Sequence, residues 1–233
     1  MVLHVIGTGS SGNCYVLENR EEALVIETGV PFLDVKRKLG FNILKIVGVI
    51  QTHSHKDHCK YEKEYEAAGI KVYKPYEMEN PQQKTWFGNF LVSSFPAVHN
   101  VPCVGYLIGH PDIGKILYAT DTEYVKYRFN LLTAMLIEAN YSKDLIPADA
   151  PNRNHVMTGH MELETTLGCI EANKNPALRD VILCHLSDRN SDEEMFRNRV
   201  QEVVGGGCRV AVASAGMTID LADIPFLEDL FNE

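Results

Sequence analysis

An apolar run of strand length, KIVGVI at residues 45–50, opens directly into QTHSHKDH, so that His53, His55, Asp57 and His58 fall within six positions. The chain has nine histidines in 233 residues, so three of them in one short stretch ask for a reason. A continued strand would send residues 53 and 55 to one face and 58 to the other. A loop leaving the strand can wrap instead, so that alternate residues converge on two neighbouring points. Imidazole and carboxylate are ligand types that zinc, iron and manganese accept. One loop then offers up to four ligands, too few for two metals. The fold must bring further ligands to the same strand end.

Candidates stand where later apolar runs give way to loops. His99 follows SSFPAV, Asp121 follows ILYAT and His185 follows VILC. Sites are commonly assembled at strand ends along one edge of a sheet. The remaining pattern supplies those strands. LHVIG, CYVLE and EALVIE read as three short strands, the first two separated by the turn-rich TGSSGN. VPFLDVKRKLG reads as a helix with Pro31 near its start and Gly40 as its stop. YEKEYEAAG reads as a short charged helix closed by Gly69. KVYK, FLVSSF, VGYLIG, KILYAT and AMLIEAN read as strands, and residues 141–158 as a long polar loop.

From His160, apolar residues at 163, 167 and 170 predict a helix. DVILCHL is a strand ending near His185. Ser191 followed by Glu194 predicts a capped helix start for SDEEMFRNRVQEVV. CRVAVAS and MTIDL close the pattern as strands. A meander followed by strand–helix alternation suggests a mixed α/β layer structure, and the length suits one domain over residues 1–233.

Net charge is −9, which argues against a strongly basic nucleic-acid-coating surface. It does not exclude a nucleic-acid substrate, since bound cations can supply local positive charge. No apolar stretch reaches the roughly 18 residues of a membrane span. The N-terminus lacks a basic leader with a long apolar core, so a cytoplasmic protein without membrane association is expected. The six cysteines include no C-x-x-C pair and read as reduced, mostly apolar core residues. His4, His110 and His155 read as strand, turn and loop residues. Trp86, Phe87 and Phe90 read as core or rim aromatics around the turn Gly88-Asn89.

T-H-S-H-K-D-H resembles the H-x-H-x-D-H signature of the metallo-β-lactamase superfamily, with His99, Asp121 and His185 in the order of its later ligands. GTGSSGNCYVL, HNVPCVGYLI and HLSDRN resemble the YycJ/WalJ-like branch, whose members have nuclease activity. The resemblance spans residues 3 to about 220. It implies an αββα sandwich, two β-sheets face to face with helices on both outer faces. It also implies two divalent metal ions, Zn2+ or Mn2+. His53, His55 and His99 would hold the first, Asp57, His58 and His185 the second, and Asp121 would bridge them. A hydroxide between the two would attack the substrate, with Asp57 counted in the catalytic set.

Aspartate at 121 resembles the phosphodiesterase, nuclease and thioesterase branches, where the best-known zinc β-lactamases carry cysteine. His55 stands where the oxygen-reducing di-iron branch has Glu. No helical C-terminal addition of the thioesterase type is left over, and there is no room for the large inserted cap of the β-CASP nucleases. The expected substrate is a phosphodiester in DNA, RNA or a cyclic nucleotide, the alternative a small thioester or lactone. His160, at the predicted helix start in TGHMELE, is the candidate phosphate contact and proton donor. Ser11 and Asn13 in GTGSSGN are candidate substrate contacts, against the plainer reading as turn formers. Two departures from the family pattern stand out: Glu27 in VIETG replaces the usual Asp, and GHMEL replaces the branch pattern GHLSN.

Overall fold

The structure is a computed structural model, described over residues 1–147 and 158–221. Strands β1 (Val2–Gly7), β2 (Cys14–Glu18), β3 (Ala23–Ile26), β4 (Ile46–Ile50), β5 (Val72–Tyr73) and β13 (Thr218–Asp220) form one sheet in the order β13-β1-β2-β3-β4-β5. The second sheet runs β12-β11-β10-β9-β8-β7-β6. Its strands are β6 (Lys84–Phe87), β7 (Phe90–Pro96), β8 (Val104–His110), β9 (Gly114–Ala119), β10 (Ala134–Glu138), β11 (Asp180–Cys184) and β12 (Arg209–Val212).

The two-residue period of each strand sorts its side chains between two layers. Leu3, Val5, Tyr15, Leu17, Leu24 and Ile26 of the first sheet meet Tyr106, Ile108, Ile116, Tyr118, Leu136 and Ile182 of the second in the central core. The alternate residues face outward and are covered by helices. On the first sheet Val16, Val25 and Val49 lie under α1 (Phe32–Lys38) and α3 (Glu62–Ala67), through Phe32, Val35 and Tyr65. On the second, Leu117, Met135, Ile137, Val181 and Leu183 lie under α4 (Leu163–Asn173) and α5 (Glu193–Val204), through Leu167, Ile170, Phe196 and Val200. This is the αββα sandwich that the sequence implied, with Leu163, Leu167 and Ile170 buried as the helical spacing requires.

The connections fix where a site can form. β3, β4 and β5 run parallel to one another. So do β9, β10, β11 and β12. The C-terminal ends of β4, β9, β10 and β11 meet at one rim of the sandwich, the usual location of sites in parallel sheets.

Four local readings need correction. The histidine loop contains a single helical turn, α2 (Lys56–Cys59), unmarked by any periodicity in so short a stretch. Lys84–Phe87 form strand β6, which leaves Trp86 64% exposed and buries Phe87. The cap of α5 is Asp192, whose carboxylate accepts from the Met195 N–H at 2.8 Å, while the Ser191 hydroxyl donates to the Ser187 carbonyl. The helix expected from His160 starts at Leu163, with Glu162 as its cap. Most of the loop assigned to 141–158, with His155, lies outside the described residues; its first part makes a short 3-10 turn at Lys143–Leu145.

All six cysteines are free, five of them buried. No helix among the described residues is long and apolar enough to cross a membrane.

Gly48 in β4 lets the two sheets close. A Cβ there would run into the Phe87 ring across the core. Gly48→Ala is therefore expected to cost about 1–3 kcal/mol by overpacking. A lowered thermal midpoint checks it, and Phe87→Leu in the same chain should recover part of the loss. Additive losses in the double variant would contradict the contact.

Candidate metal centre

The first arc of the site is built from imidazoles. His53 Nε2 lies 3.1 Å from His55 Nδ1, which lies 3.2 Å from His99 Nε2. Nitrogens bound to zinc at about 2.0–2.1 Å with tetrahedral angles stand about 3.3 Å apart, so these three converge as a tetrahedral ion requires. The second arc mixes imidazole with carboxylate. His58 Nε2 is 3.0 Å from Asp121 Oδ2 and 3.5 Å from Asp57 Oδ2, and His185 Nε2 is 3.6 Å from both of those oxygens. His53, His58 and Asp121 also form a group of their own, which joins the two arcs through Asp121. His53, His58, Asp121 and His185 are buried, whereas His55, Asp57 and His99 are half-buried and line the opening.

His185 Nε2 is buried and has no hydrogen-bond partner among the described residues, although it faces two carboxylates. A buried nitrogen left this way costs free energy unless something fills the gap. The donor set, two convergent groups of imidazole and carboxylate, fits divalent metal ions, and the fold implies divalent metal binding.

The backbone explains how one short loop aims four side chains. A Cβ at Gly29 would collide with the carbonyl of Asp57, so only glycine fits there. Asn13 N–H donates to that same carbonyl at 2.7 Å, and Thr28 N–H donates to the His58 carbonyl at 2.8 Å. The glycine-rich turn after β1 and the turn after β3 thus clamp α2 from both sides. Glu27, Asp121 and His185 sit at the ends of β3, β9 and β11 with φ of 65°, 50° and 53°. Left-handed backbone at non-glycine residues costs about 1–2 kcal/mol each. It turns each side chain back into the site, the kind of strain that concentrates where function needs it.

A second layer of hydrogen bonds fixes the imidazoles. Glu27, fully buried, accepts from the Thr52 hydroxyl at 2.5 Å and the Tyr118 hydroxyl at 3.2 Å, and lies 3.3 Å from His58 Nδ1. Thr52 Oγ1 in turn lies 2.9 Å from His53 Nδ1. The longer side chain at position 27 therefore still reaches both metal-facing arcs. His99 Nδ1 donates to the Gly159 carbonyl at 2.7 Å. Glu138 at the end of β10 is also fully buried. It accepts from the Thr122 and Met161 N–H groups, both at 3.2 Å, and stands 2.8 Å from His160 Nδ1 and 3.4 Å from His185 Nδ1.

Charge compensation sets the protonation pattern. Burial would push the Asp121 carboxyl up, but His185 and His58 hold it well below the usual range. Burial likewise opposes ionisation of Asp57, and hydrogen bonds from His185 and His58 hold its carboxyl down. Burial alone would lower His58 and His185. Asp121 and Glu27 instead raise His58, and Asp121, Asp57 and Glu138 raise His185 to about 10. His53 is driven down to about 2 by burial and by the neighbouring His58. His160 is raised: burial opposes it, and its hydrogen bond to the Glu138 carboxylate prevails.

The residues singled out in the sequence divide cleanly. His53, His55, Asp57, His58, His99, Asp121 and His185 all come together. His160 joins them, its ring stacked on His185 at 5.4 Å and its Nδ1 3.5 Å from Asp121. It does so through Glu138 rather than a helix N-terminus, since the Glu162 side chain occupies the Glu164 N–H. Asn13 is fully buried, its amide bound to Gly9 at 2.9 and 3.1 Å and 3.0 Å from His58 Nε2, so it braces the loop and has no face for substrate. Ser11 is exposed; its neighbour Ser10, not Ser11, lines the hollow beside His160. Glu138, Thr52 and Asn140, whose amide donates to the His185 carbonyl at 2.8 Å, escaped the sequence reading. The signal was present in AMLIE, where a lone carboxylate ends an otherwise apolar strand.

The family model for the metallo-beta-lactamase superfamily matches residues 7–60. An exodeoxyribonuclease, YycJ from Bacillus anthracis, is 23% identical, with 88% of this chain and 90% of that protein covered. Among solved structures, the metallo-beta-lactamase fold protein YhfI from Bacillus subtilis superposes with a TM-score of 0.69 at 16% identity, covering 94% and 98% of the two chains. The short form of human tRNase Z gives 0.62 at 14% identity, covering 95% and 99%. A diphosphatase of the PhnP family gives 0.65 at 15%, covering 94% and 97%.

Glu27 should matter for metal affinity although it is outside the two convergent groups. Glu27→Ala is expected to weaken divalent-metal binding about 10–100-fold, the usual effect of losing a partner that orients a ligand. Competition with a chromophoric chelator measures this, with circular dichroism to confirm folding. Unaltered affinity in a folded variant would remove Glu27 from the orienting network.

Proposed function

We propose that this chain is a metallo-β-lactamase-superfamily enzyme, a two-metal phosphodiesterase acting on nucleic acid or nucleotide phosphodiester bonds. The observation that carries this reading is the junction of two ligand arcs at Asp121, with a histidine–carboxylate pair beside it that neither arc requires. His53, His55 and His99 would hold one ion and Asp57, His58 and His185 the other, with Asp121 shared. Glu27, Asp57, Asp121 and Glu138 bring four carboxyl groups to one place, three of them buried. Dications suit a site so rich in carboxyl groups. Zinc and manganese both suit the nitrogen and oxygen donors.

When bound, such ions supply Lewis-acid activation of water and of the phosphoryl oxygens. The chain's own residues do the rest. Glu138 holds His160 by Nδ1, so the ring's Nε2 is the atom left to face a substrate. From there it can donate a hydrogen bond to the phosphate or a proton to the departing oxygen. The rim of half-buried His55, Asp57 and His99 admits substrate, while the buried inner residues keep water away from the far side. On the His99 side lies a hollow lined by Tyr76, Met78, Val101 and Pro102, which suits a flat apolar group such as a nucleobase. Similarity to an exodeoxyribonuclease, a tRNase Z and a diphosphatase supports phosphorus over a thioester or lactone.

Elemental analysis with parallel turnover of bis(p-nitrophenyl) phosphate, cyclic nucleotides and labelled DNA and RNA oligonucleotides tests the reading. Turnover of thioesters or lactones alone would overturn it. Asp121→Ala should lower occupancy of both metals; retention of two tightly bound ions would rule out a shared ligand. His160→Ala should keep both metals and lose about 10²–10⁴-fold in rate on an oligonucleotide, whose alkoxide leaving group needs a proton. The loss should shrink with p-nitrophenolate as leaving group. Equal losses on both would leave His160 as a phosphate binder.

A further inference from the structure

The cleft is asymmetric about the metal centre. A hollow of about 250 Å³ opens beside His160, walled by Ser10 and by the loop that follows β11, and shares no lining residue with the hollow that His99 borders. That loop, HLSDRNS at 185–191, is tied down along its length. Ser187 N–H donates to the Asn140 carbonyl at 2.9 Å, and the Ser142 N–H donates to the Asn190 carbonyl at 3.0 Å. Asn190 Nδ2 donates to Ser187 Oγ at 3.3 Å, and Ser191 Oγ donates to the Ser187 carbonyl at 2.7 Å. The turn is thus fastened to the end of β10 and carries Asp188 and Arg189 at its exposed tip.

Arg189 lines the hollow, and its guanidinium has no hydrogen bond or ion pair among the described residues. It is the only lysine or arginine in that lining, with the Asp188 carboxylate alongside. The Ser187 hydroxyl accepts from Asn190 and so keeps its own hydrogen to donate into the hollow. The surroundings give these facts weight. A chain of net charge −9 repels a polyanion at long range, so the phosphates on either side of the cleaved bond must meet local cations to be held. Guanidinium, with its fork of N–H donors, is the side chain best shaped for phosphate oxygens.

We propose that Arg189, with Ser187 and Ser10, forms a subsite for a second phosphate of the substrate, the one next to the bond being cleaved. This rests on the phosphodiesterase reading of the metal centre and narrows it to substrates longer than a single phosphodiester. A cyclic mononucleotide has nothing to place there. A chain of nucleotides does, as either an internal diester or a terminal monoester.

The experiment uses the metal-loaded protein, a short DNA oligonucleotide, and the same oligonucleotide with one neutral methylphosphonate on either side of the cleaved linkage. A third arm adds or removes the terminal phosphate. In the wild type, neutralising the contacted position should raise KM about tenfold or more, the usual effect of losing a charge-assisted hydrogen bond. In Arg189→Ala, KM on the unmodified oligonucleotide should rise by a similar factor, and the methylphosphonate should add little more. Arg189→Lys should recover part of the loss. The loss in Arg189→Ala on the oligonucleotide should exceed that on bis(p-nitrophenyl) phosphate by at least about tenfold. Sensitivity to the terminal phosphate rather than to the internal one would identify the monoester as the ligand. Equal losses on both substrates, or an undiminished methylphosphonate effect in Arg189→Ala, would overturn the subsite while leaving the phosphodiesterase reading intact. A wild type that turns over no phosphodiester, bis(p-nitrophenyl) phosphate included, would overturn both.

Discussion

Four carboxyl groups drawn into one corner of a sandwich are the constraint around which this molecule is arranged. Glu27, Asp121 and Glu138 are buried and Asp57 is half-buried, all within reach of the same imidazoles. Anions removed from water cost several kcal/mol each unless countercharge and hydrogen bonds are supplied. The chain supplies hydrogen bonds through Thr52, Tyr118 and the N–H groups of Thr122 and Met161. The countercharge has to be cationic. Asp121 and Glu27 raise His58, and Asp121, Asp57 and Glu138 raise His185, so both imidazoles respond to the carboxylates around them. A divalent ion held by the same residues would supply that countercharge in place of protons.

The rest of the architecture follows from the need to hold these groups rigidly. Parallel strands in both sheets bring their C-terminal ends to one rim, and the glycine-rich turn after β1 comes up beneath the histidine loop. Gly29 is required there by close approach, since a Cβ in its place would run into the Asp57 carbonyl. Left-handed residues at the ends of three strands accept local strain so that Glu27, Asp121 and His185 point inward. The central core, with Tyr15, Tyr106 and Tyr118 among its largest fully buried side chains, over-determines the strand positions and so keeps that strain in place.

The opening of the site has a polar side and an apolar side. Arg189 and two serines stand on one, Tyr76, Met78, Val101 and Pro102 on the other, with the half-buried metal-facing residues between. The net charge of −9 disfavours long-range attraction of polyanions.

The sequence alone determined a good deal. Period-two alternation marked most of the strands and the spacing of Leu163, Leu167 and Ile170 marked α4, because burial on one face leaves that imprint whatever the tertiary partner. The seven residues of the two arcs were legible for a chemical reason: imidazole and carboxylate clustered at predicted strand ends have few other uses. What the sequence left open was decided by contacts between segments far apart in the chain. Strand β6 and the turn α2 are too short to carry a period. Asp192 rather than Ser191 caps α5 because the Ser191 hydroxyl is taken by Ser187, a contact set by the fold of the loop. Asn13 braces the histidine loop, and Glu138 holds His160 and His185, roles hidden in the sequence because each lies more than twenty residues from the partner it serves. A lone polar residue at a strand end is ambiguous in one dimension; only when the sheets pack does it acquire the neighbour that defines its role.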